Sequence, residues 1–263
     1  MHKILLGVVG KNISYSKSPF IHQAFAKAKH IRLSYTIEDV GEGIFAEKIA
    51  ALRTAGFLGC NITLPYKEEA FALADHRSPR AIQAGAANTF LFKEGKIFAD
   101  NTDGIALVRD LTHNIGFSVA GKRILICGAG GAVRGILGPL LDQHPLSIVL
   151  ANRSLEKANA LTHLFQSTLL KTSTYEALSG NLFDLIIDGT SLQTDILPFP
   201  HLGSETFFYD LKYNTPSATL HWAKMQGMQT HDGLGMLIEQ AAESFKIWTH
   251  RKVNTTPIGA QLK

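Results

Sequence analysis

The sequence predicts an α/β protein of two domains, and three observations carry that expectation. Strand-like and helix-like segments alternate along both halves of the chain. A glycine-rich turn joins an apolar strand to a helix at 123–132. The length, 263 residues, exceeds one average domain and fits two. Hydrophobic residues make up 45% and charged residues 18%, with mean hydropathy +0.06. That is enough apolar surface to offset the entropy of ordering, which excludes a disordered chain.

In the first half, residues 4–9 form an apolar run closed by Gly10, a buried strand. Ser18-Pro19 opens a helix with Phe20, Ala24, Phe25 and Ala28 at helical spacing. Ser18 stands as the cap and Pro19 at the first helical position. A strand at 34–38, a helix at 44–55, a strand at 58–64 and a helix at 66–74 follow. Residues 88–92 and 97–99 read as a hairpin turning through Glu94-Gly95. A second unit begins near Gly104, with a helix at 105–115 and a strand at 123–127. After the glycine turn come a helix through 141, a strand at 147–151, a helix from 154, and strands at 182–188 and 207–211. The last helix, 235–249, sets Leu237, Ala241, Phe245 and Trp248 on one face. This alternation in the second unit predicts a doubly wound parallel sheet.

Lys and Arg number 26 against 22 Asp and Glu, a formal charge of +4. The basic residues are scattered, without an interleaved aromatic platform, so no nucleic-acid partner is expected. The longest uncharged runs, 54–66 and 158–170, are too short to cross a bilayer. Residues 1–7 read as a first strand rather than a cleaved leader. Cys60 and Cys127 are too few for a disulfide framework or a zinc site, so no metal and a reducing cytoplasm are expected.

A glycine-rich turn between strand and helix lets backbone N–H groups approach a pyrophosphate at the positive end of a helix dipole. Gly128-Ala129-Gly130-Gly131-Ala132 stands in that context, with Val133 at the third glycine position of the usual fingerprint. Such a turn alone also serves ligand-free connections. The end of the next strand discriminates. An NAD site places a carboxylate there for the ribose 2′-hydroxyl, whereas this chain has Asn152-Arg153-Ser154 and then Lys157. A guanidinium fork matches phosphate oxygens, so the expected cofactor is NADP(H).

Further motifs follow one another in order: Ser16-Lys17-Ser18-Pro19, Asn61-Ile62-Thr63-Leu64-Pro65-Tyr66-Lys67-Glu68, Gly85-Ala86-Ala87-Asn88-Thr89 and Asp100-Asn101-Thr102-Asp103-Gly104. The glycine turn, Asn152-Arg153-Ser154 and Asp232-Gly233-Leu234-Gly235-Met236-Leu237 complete the series, with Gln240 just beyond. In order and number these motifs resemble the shikimate dehydrogenase family over essentially the whole chain. The resemblance implies an α/β substrate domain with a mixed sheet over 1–103 and 235–263. It implies a doubly wound, Rossmann-like NADP domain over 104–234, with a deep cleft between the two. The activity implied is the reversible, NADPH-dependent reduction of 3-dehydroshikimate to shikimate, on the route to chorismate and the aromatic amino acids. A cytoplasmic monomer or homodimer with small-molecule partners only is expected.

The resemblance also assigns residues. Lys67 and Asp103 match the family's catalytic pair. Ser16 and Ser18 match its carboxylate-binding serines. Thr63, Asn88 and Gln240 match positions that hydrogen-bond ring hydroxyls, with Asn61 a neighbouring candidate, and Tyr213 corresponds to a substrate-contacting tyrosine. Neutral amides and hydroxyls suit a polyol, which both donates and accepts. Cofactor contacts are expected from Gly128, Ala129, Gly130, Gly131, Ala132, Asn152, Arg153, Ser154, Lys157, Leu211 and Gly233. Hydride arriving at a carbonyl carbon builds negative charge on its oxygen, so a proton donor must stand within about 3 Å of it; Lys67 fits that task, with Asp103 to orient it.

The chain departs from the family pattern at three places. Asp188-Gly189-Thr190-Ser191-Leu192 stands where Asn-Ala-Thr-Ser-x-Gly is common, Pro79 falls near a frequently acidic position, and Leu211 replaces a frequent Met. Two alternatives stay open: a relative that also oxidises quinate, with a relaxed choice of substrate or of NAD as cofactor, and a ligand-binding relative without turnover. Ser18 and Arg153 favour shikimate and NADP, and retention of both Lys67 and Asp103 favours turnover.

Overall fold

The computed structural model describes residues 3–178, 182–192, 205–213 and 217–262. Two compact units make up the chain, one from residues 1–106 and 237–263 and the other from 107–236.

The first unit runs β1 (Ile4–Gly10), α1 (Ser18–Ala28), β2 (Leu33–Asp39), α2 (Phe45–Thr54), β3 (Gly59–Ile62), α3 (Lys67–Leu73), β4 (His76–Arg77), α4 (Pro79–Ala84), β5 (Thr89–Lys93) and β6 (Lys96–Asp100). Its sheet has the order β2-β1-β3-β5-β6-β4. β1 pairs parallel with β2 and β3, while β5 runs antiparallel to β3 and β6, so the sheet is mixed. The β5–β6 hairpin turns through Glu94 and Gly95 at φ 51° and 72°. Both left-handed residues give the turn the twist that two paired strands require. Phe45, Ile49, Ile62 and Phe90 fill one face of the sheet; Leu6, Val8 and Tyr35 pack on the other.

α5 (Asp103–Arg109) is prolonged by a π-helical turn, Asp110–Ile115. The helical ladder widens at buried Asp110, whose carboxylate accepts from the Tyr209 hydroxyl at 2.7 Å and from Asn114 at 2.8 Å. The second unit continues with β7 (Arg123–Cys127), α6 (Gly131–Leu141), β8 (Ser147–Ala151), α7 (Leu155–Phe165), β9 (Leu170–Ser173), β10 (Leu185–Asp188), β11 (Phe207–Asp210), α8 (Ala218–Met225) and β12 (Gln229–His231). These strands form an all-parallel sheet of order β12-β11-β10-β7-β8-β9. The strand order reverses between β7 and β10, the switch point of a doubly wound sheet. Ile124 to Cys127 and Leu185 to Ile187 are fully buried, as strands covered on both faces must be.

α9 (Leu234–Thr249) and α10 (Thr256–Leu262) end the chain. The division between the units falls inside α5 and inside α9, within a few residues of Gly104 and Gly235. α9 packs on the first unit. Trp248 Nε1 donates to Phe90 O at 2.8 Å, and Phe245 meets Phe25 edge-on at 5.7 Å. Gly59 makes that docking possible, because a Cβ there would lie 2.1 Å from Phe90 O and 2.4 Å from Trp248 Nε1.

Ser18 departs from its expected place. Lys17 is the residue preceding the first turn, no side chain caps α1, and Ser18 is the first helical residue with Pro19 second. Proline's fixed φ suits either position, which shifts the start by one residue. Among the described residues, no helix is long and apolar enough to cross a membrane, and no group of three His, Cys, Asp or Glu is placed to hold a metal.

Candidate active site

Lys67 opens α3 and Asp103 opens α5, thirty-six positions apart in sequence. In the fold Lys67 Nζ donates to Asp103 Oδ2 at 2.6 Å, with the two side chains only 10% and 6% exposed. Taking two charges out of water is costly unless their other hydrogen-bonding groups are also matched. The second carboxylate oxygen is matched: Asn88 Nδ2 donates to Asp103 Oδ1 at 2.8 Å. The Asn88 carbonyl in turn accepts from the Thr102 backbone N–H and from the hydroxyls of Thr102 and Thr89. Ala87 N donates to Lys67 O at 2.8 Å, which ties the start of α3 to the start of β5.

Behind this pair lies a second layer. Asn61 accepts from Tyr35 at 2.7 Å and directs its Nδ2 to Asn88 O, Thr89 Oγ1 and Ser244 Oγ at 3.0–3.2 Å. Ser244, on α9, also stands 2.8 Å from Thr89 Oγ1. Both amide donors of Asn61 and of Asn88 are therefore spent inside the protein; Asn88 holds the Asp103 carboxylate, and Asn61 braces Asn88. Thr89, Thr102, Tyr35 and Ser244 belong to this framework, and sequence reasoning gave them no role. Thr89 and Thr102 sit inside the quoted motifs, next to Asn88 and Asp103; Ser244 has no sequence signal beyond lying on the apolar face of α9.

Other predicted residues keep free polar groups. Ser18 is buried, and its hydroxyl has no partner among the described residues. Its backbone N–H donates to Ser16 Oγ at 3.3 Å. Thr63, half-buried at the end of β3, likewise has no hydroxyl partner among the described residues. Gln240 is buried on α9, in the first unit. The first unit thus carries a buried ion pair together with hydroxyl and amide groups that have no side-chain partner among the described residues, residue types suited to a small polyhydroxylated acid with a reducible carbonyl.

In the second unit, the turn after β7 has Gly128 at φ 103° with a Cβ position only 3.0 Å from Gly189 O, so only glycine fits. Gly130 has open space where a side chain would be, and α6 starts beyond it with no side-chain cap and no acid in its first turn. Gly131 is buried, with Ala129 and Ala132 half-buried beside it. The N–H ends of an eleven-residue helix are left for an anion, which fits a pyrophosphate. At the end of β8, Asn152 Nδ2 donates to Ser154 O at 2.9 Å, and Ser154 leaves its hydroxyl out of capping. Arg153 and Lys157 are exposed, without an ion-pair partner among the described residues. This donor set fits a 2′-phosphate. Leu211 and Tyr213 follow β11 half-buried, and Gly233 packs its backbone against Leu211 O.

The sequence matches three family models along its length: a shikimate dehydrogenase substrate binding domain over residues 8–90, a shikimate/quinate 5-dehydrogenase domain over 110–204, and a shikimate 5′-dehydrogenase C-terminal domain over 233–263. It is 41% identical to a shikimate dehydrogenase (NADP(+)) of Methylobacillus flagellatus, over 97% of each chain. The chain belongs to the shikimate dehydrogenase family. Its fold matches the crystal structure of an Ael1 enzyme from Pseudomonas putida with TM-score 0.91 and 40% identity, covering 99% of this chain and 98% of that one. A shikimate 5-dehydrogenase from Thermus thermophilus, solved with NADP(H) and shikimate, matches with TM-score 0.85 and 28% identity, over 98% and 97% of the two chains. Membership makes the protein an oxidoreductase of the shikimate dehydrogenase type.

Proposed function

We propose that the protein interconverts 3-dehydroshikimate and shikimate with NADP(H), as a step toward chorismate and the aromatic amino acids. The buried Lys67–Asp103 contact at 2.6 Å carries this reading. A ligand-binding relative needs contacts but no proton donor beside a carbonyl.

NADPH, when bound, supplies the hydride. As negative charge grows on the carbonyl oxygen, Lys67 Nζ hands it a proton; in the oxidative direction the same nitrogen takes the proton from the hydroxyl. Asp103 balances the ammonium and fixes its direction, and Asn88 keeps the carboxylate from turning. The substrate carboxylate is received by the hydroxyls of Ser16 and Ser18, and the ring hydroxyls by Thr63 and Gln240. The turn at 128–132 takes the pyrophosphate, and Arg153, Ser154 and Lys157 take the 2′-phosphate.

The deciding experiment follows NADPH formation with purified protein, shikimate and NADP⁺, alongside quinate and NAD⁺. The expected result is the highest kcat/KM for shikimate with NADP⁺. Turnover of quinate with NAD⁺ at the higher efficiency would overturn it, as would tight shikimate binding with no turnover.

A further inference from the structure

At the carboxyl ends of β10 and β11, Asp188 and Asp210 stand opposite one another in the parallel register. Both side chains are fully buried, and among the described residues one cation serves them: Lys212 Nζ lies 3.0 Å from Asp188 Oδ2 and 2.9 Å from Asp210 Oδ1. The same ammonium donates to Thr190 O at 3.2 Å. Asp188 Oδ1 accepts from the Thr190 N–H and hydroxyl, whereas Asp210 Oδ2 is buried without a hydrogen-bond partner among the described residues. Two carboxylates against one ammonium leave an excess negative charge in a dry place. Burial pushes the Asp188 carboxyl above its ordinary range; Lys212 opposes that shift and Asp210 adds to it. A second cation nearby would relieve the imbalance.

The position of the cluster indicates which cation. Gly189, next to Asp188, has its carbonyl against Gly128 of the glycine turn, so the cluster adjoins the dinucleotide site. The β7–β8 half of the sheet carries the glycine turn and Arg153, the adenosine end; the β10–β11 half lies across the switch point, where the second nucleotide of a dinucleotide belongs. A nicotinamide ring is cationic when oxidised and neutral when reduced. We infer that the Asp188–Lys212–Asp210 cluster is a specificity determinant for the redox state of the cofactor, tightening the oxidised form relative to the reduced one. The inference rests on the NADP(H) reading above and adds to it a selectivity that the 2′-phosphate contacts cannot supply, because both forms share that phosphate.

The test measures equilibrium binding of NADP⁺, NADPH and adenosine 2′,5′-bisphosphate by calorimetry at pH 8, without substrate. The unmodified protein binds NADP⁺ more tightly than NADPH, and the reverse order overturns the inference whatever the variants do. Asp188→Asn, which removes one charge, weakens NADP⁺ about five- to tenfold and leaves NADPH and the bisphosphate within about twofold. Thr190→Val, which removes a hydrogen bond to Asp188 but no charge, moves NADP⁺ and NADPH by the same factor. Equal weakening of both forms by Asp188→Asn would make the cluster a loop support only. Failure of all three ligands to bind the unmodified protein would instead bring down the NADP(H) reading, and the inference with it.

Discussion

At the scale of single residues, the charge on Lys67 and its aim are separate properties. Asp103 and Asn88 determine the aim, and in the proposed reaction the nitrogen supplies the proton. Lys67→Ala is expected to lower kcat for shikimate oxidation by about 10²–10⁴ while KM stays within about threefold. A loss confined to KM would take Lys67 out of the chemistry. Arg153→Ala is expected to raise KM for NADPH far more than for NADH, since only the former carries the 2′-phosphate that a guanidinium fork matches. Equal effects on the two cofactors would refute that assignment.

His22 carries a different consequence. It is fully buried, stacked on Tyr35 with ring centroids 4.4 Å apart, and neither ring nitrogen has a hydrogen-bond partner among the described residues. Burial holds its pKa down at about 3, and nearby Asn61 offsets only part of that effect. The folded value lies below the unfolded one, near 6.5. The neutral ring therefore contributes stability in full above about pH 6.5, and the contribution is lost as pH falls toward 3, at up to about 1.4 kcal/mol per pH unit. His22→Phe keeps the stack and should flatten the fall in unfolding free energy across that window. Urea titrations at several pH values give the slope, and a slope unchanged by the substitution would contradict the account.

Among the elements, α9 depends on the lack of a side chain at residue 59. A methyl at residue 59 has nowhere to go, because it meets the Phe90 carbonyl and the Trp248 indole together. Gly59→Ala should lower stability by about 1–3 kcal/mol, the usual result of overpacking. Because Gln240 and Ser244 ride on the same helix, KM for shikimate should rise with it. Calorimetric melting and a shikimate titration check both effects; a normal KM in a destabilised protein would show that α9 recovers its seat.

The elements also show what could be read from the chain in advance. Arg123–Cys127 and Ser147–Ala151 are legible to the residue, since a covered parallel strand is a continuous apolar run with sharp ends. β4 and β12, two and three residues of mostly polar sequence at sheet edges, have no period to detect. Ser18 was misplaced by one position because a serine before proline reads as a cap by type alone. The glycine turn and Arg153 follow from local chemistry. The meeting of Lys67 with Asp103 does not, because long-range pairing leaves no local pattern, and only the family resemblance pointed to it. The sharing of Lys212 by two aspartates became visible only with β10 and β11 in register.

For the whole molecule, the second unit is continuous in sequence and the first is not. The first unit's sheet lacks Trp248, Phe245 and Ser244 until α9 is in place, and with them the indole donor to Phe90 and the serine that Asn61 addresses. A chain ending at residue 236 should keep a cooperatively folded second unit that still binds adenosine 2′,5′-bisphosphate, with rapid amide exchange in β1, β3 and β5. Protection of those strands equal to that in the full chain would show that the first unit closes without its last helix.

The Trp248–Phe90 contact therefore bears on how the protein is made. A ribosome adding about 5–20 residues per second delivers the inserted unit whole before it delivers the helix that completes the earlier one. The nascent first unit waits, with the Phe25 side of its sheet uncovered, while its neighbour matures. Lys67 thus gains its full setting only after the whole of the second unit has been made.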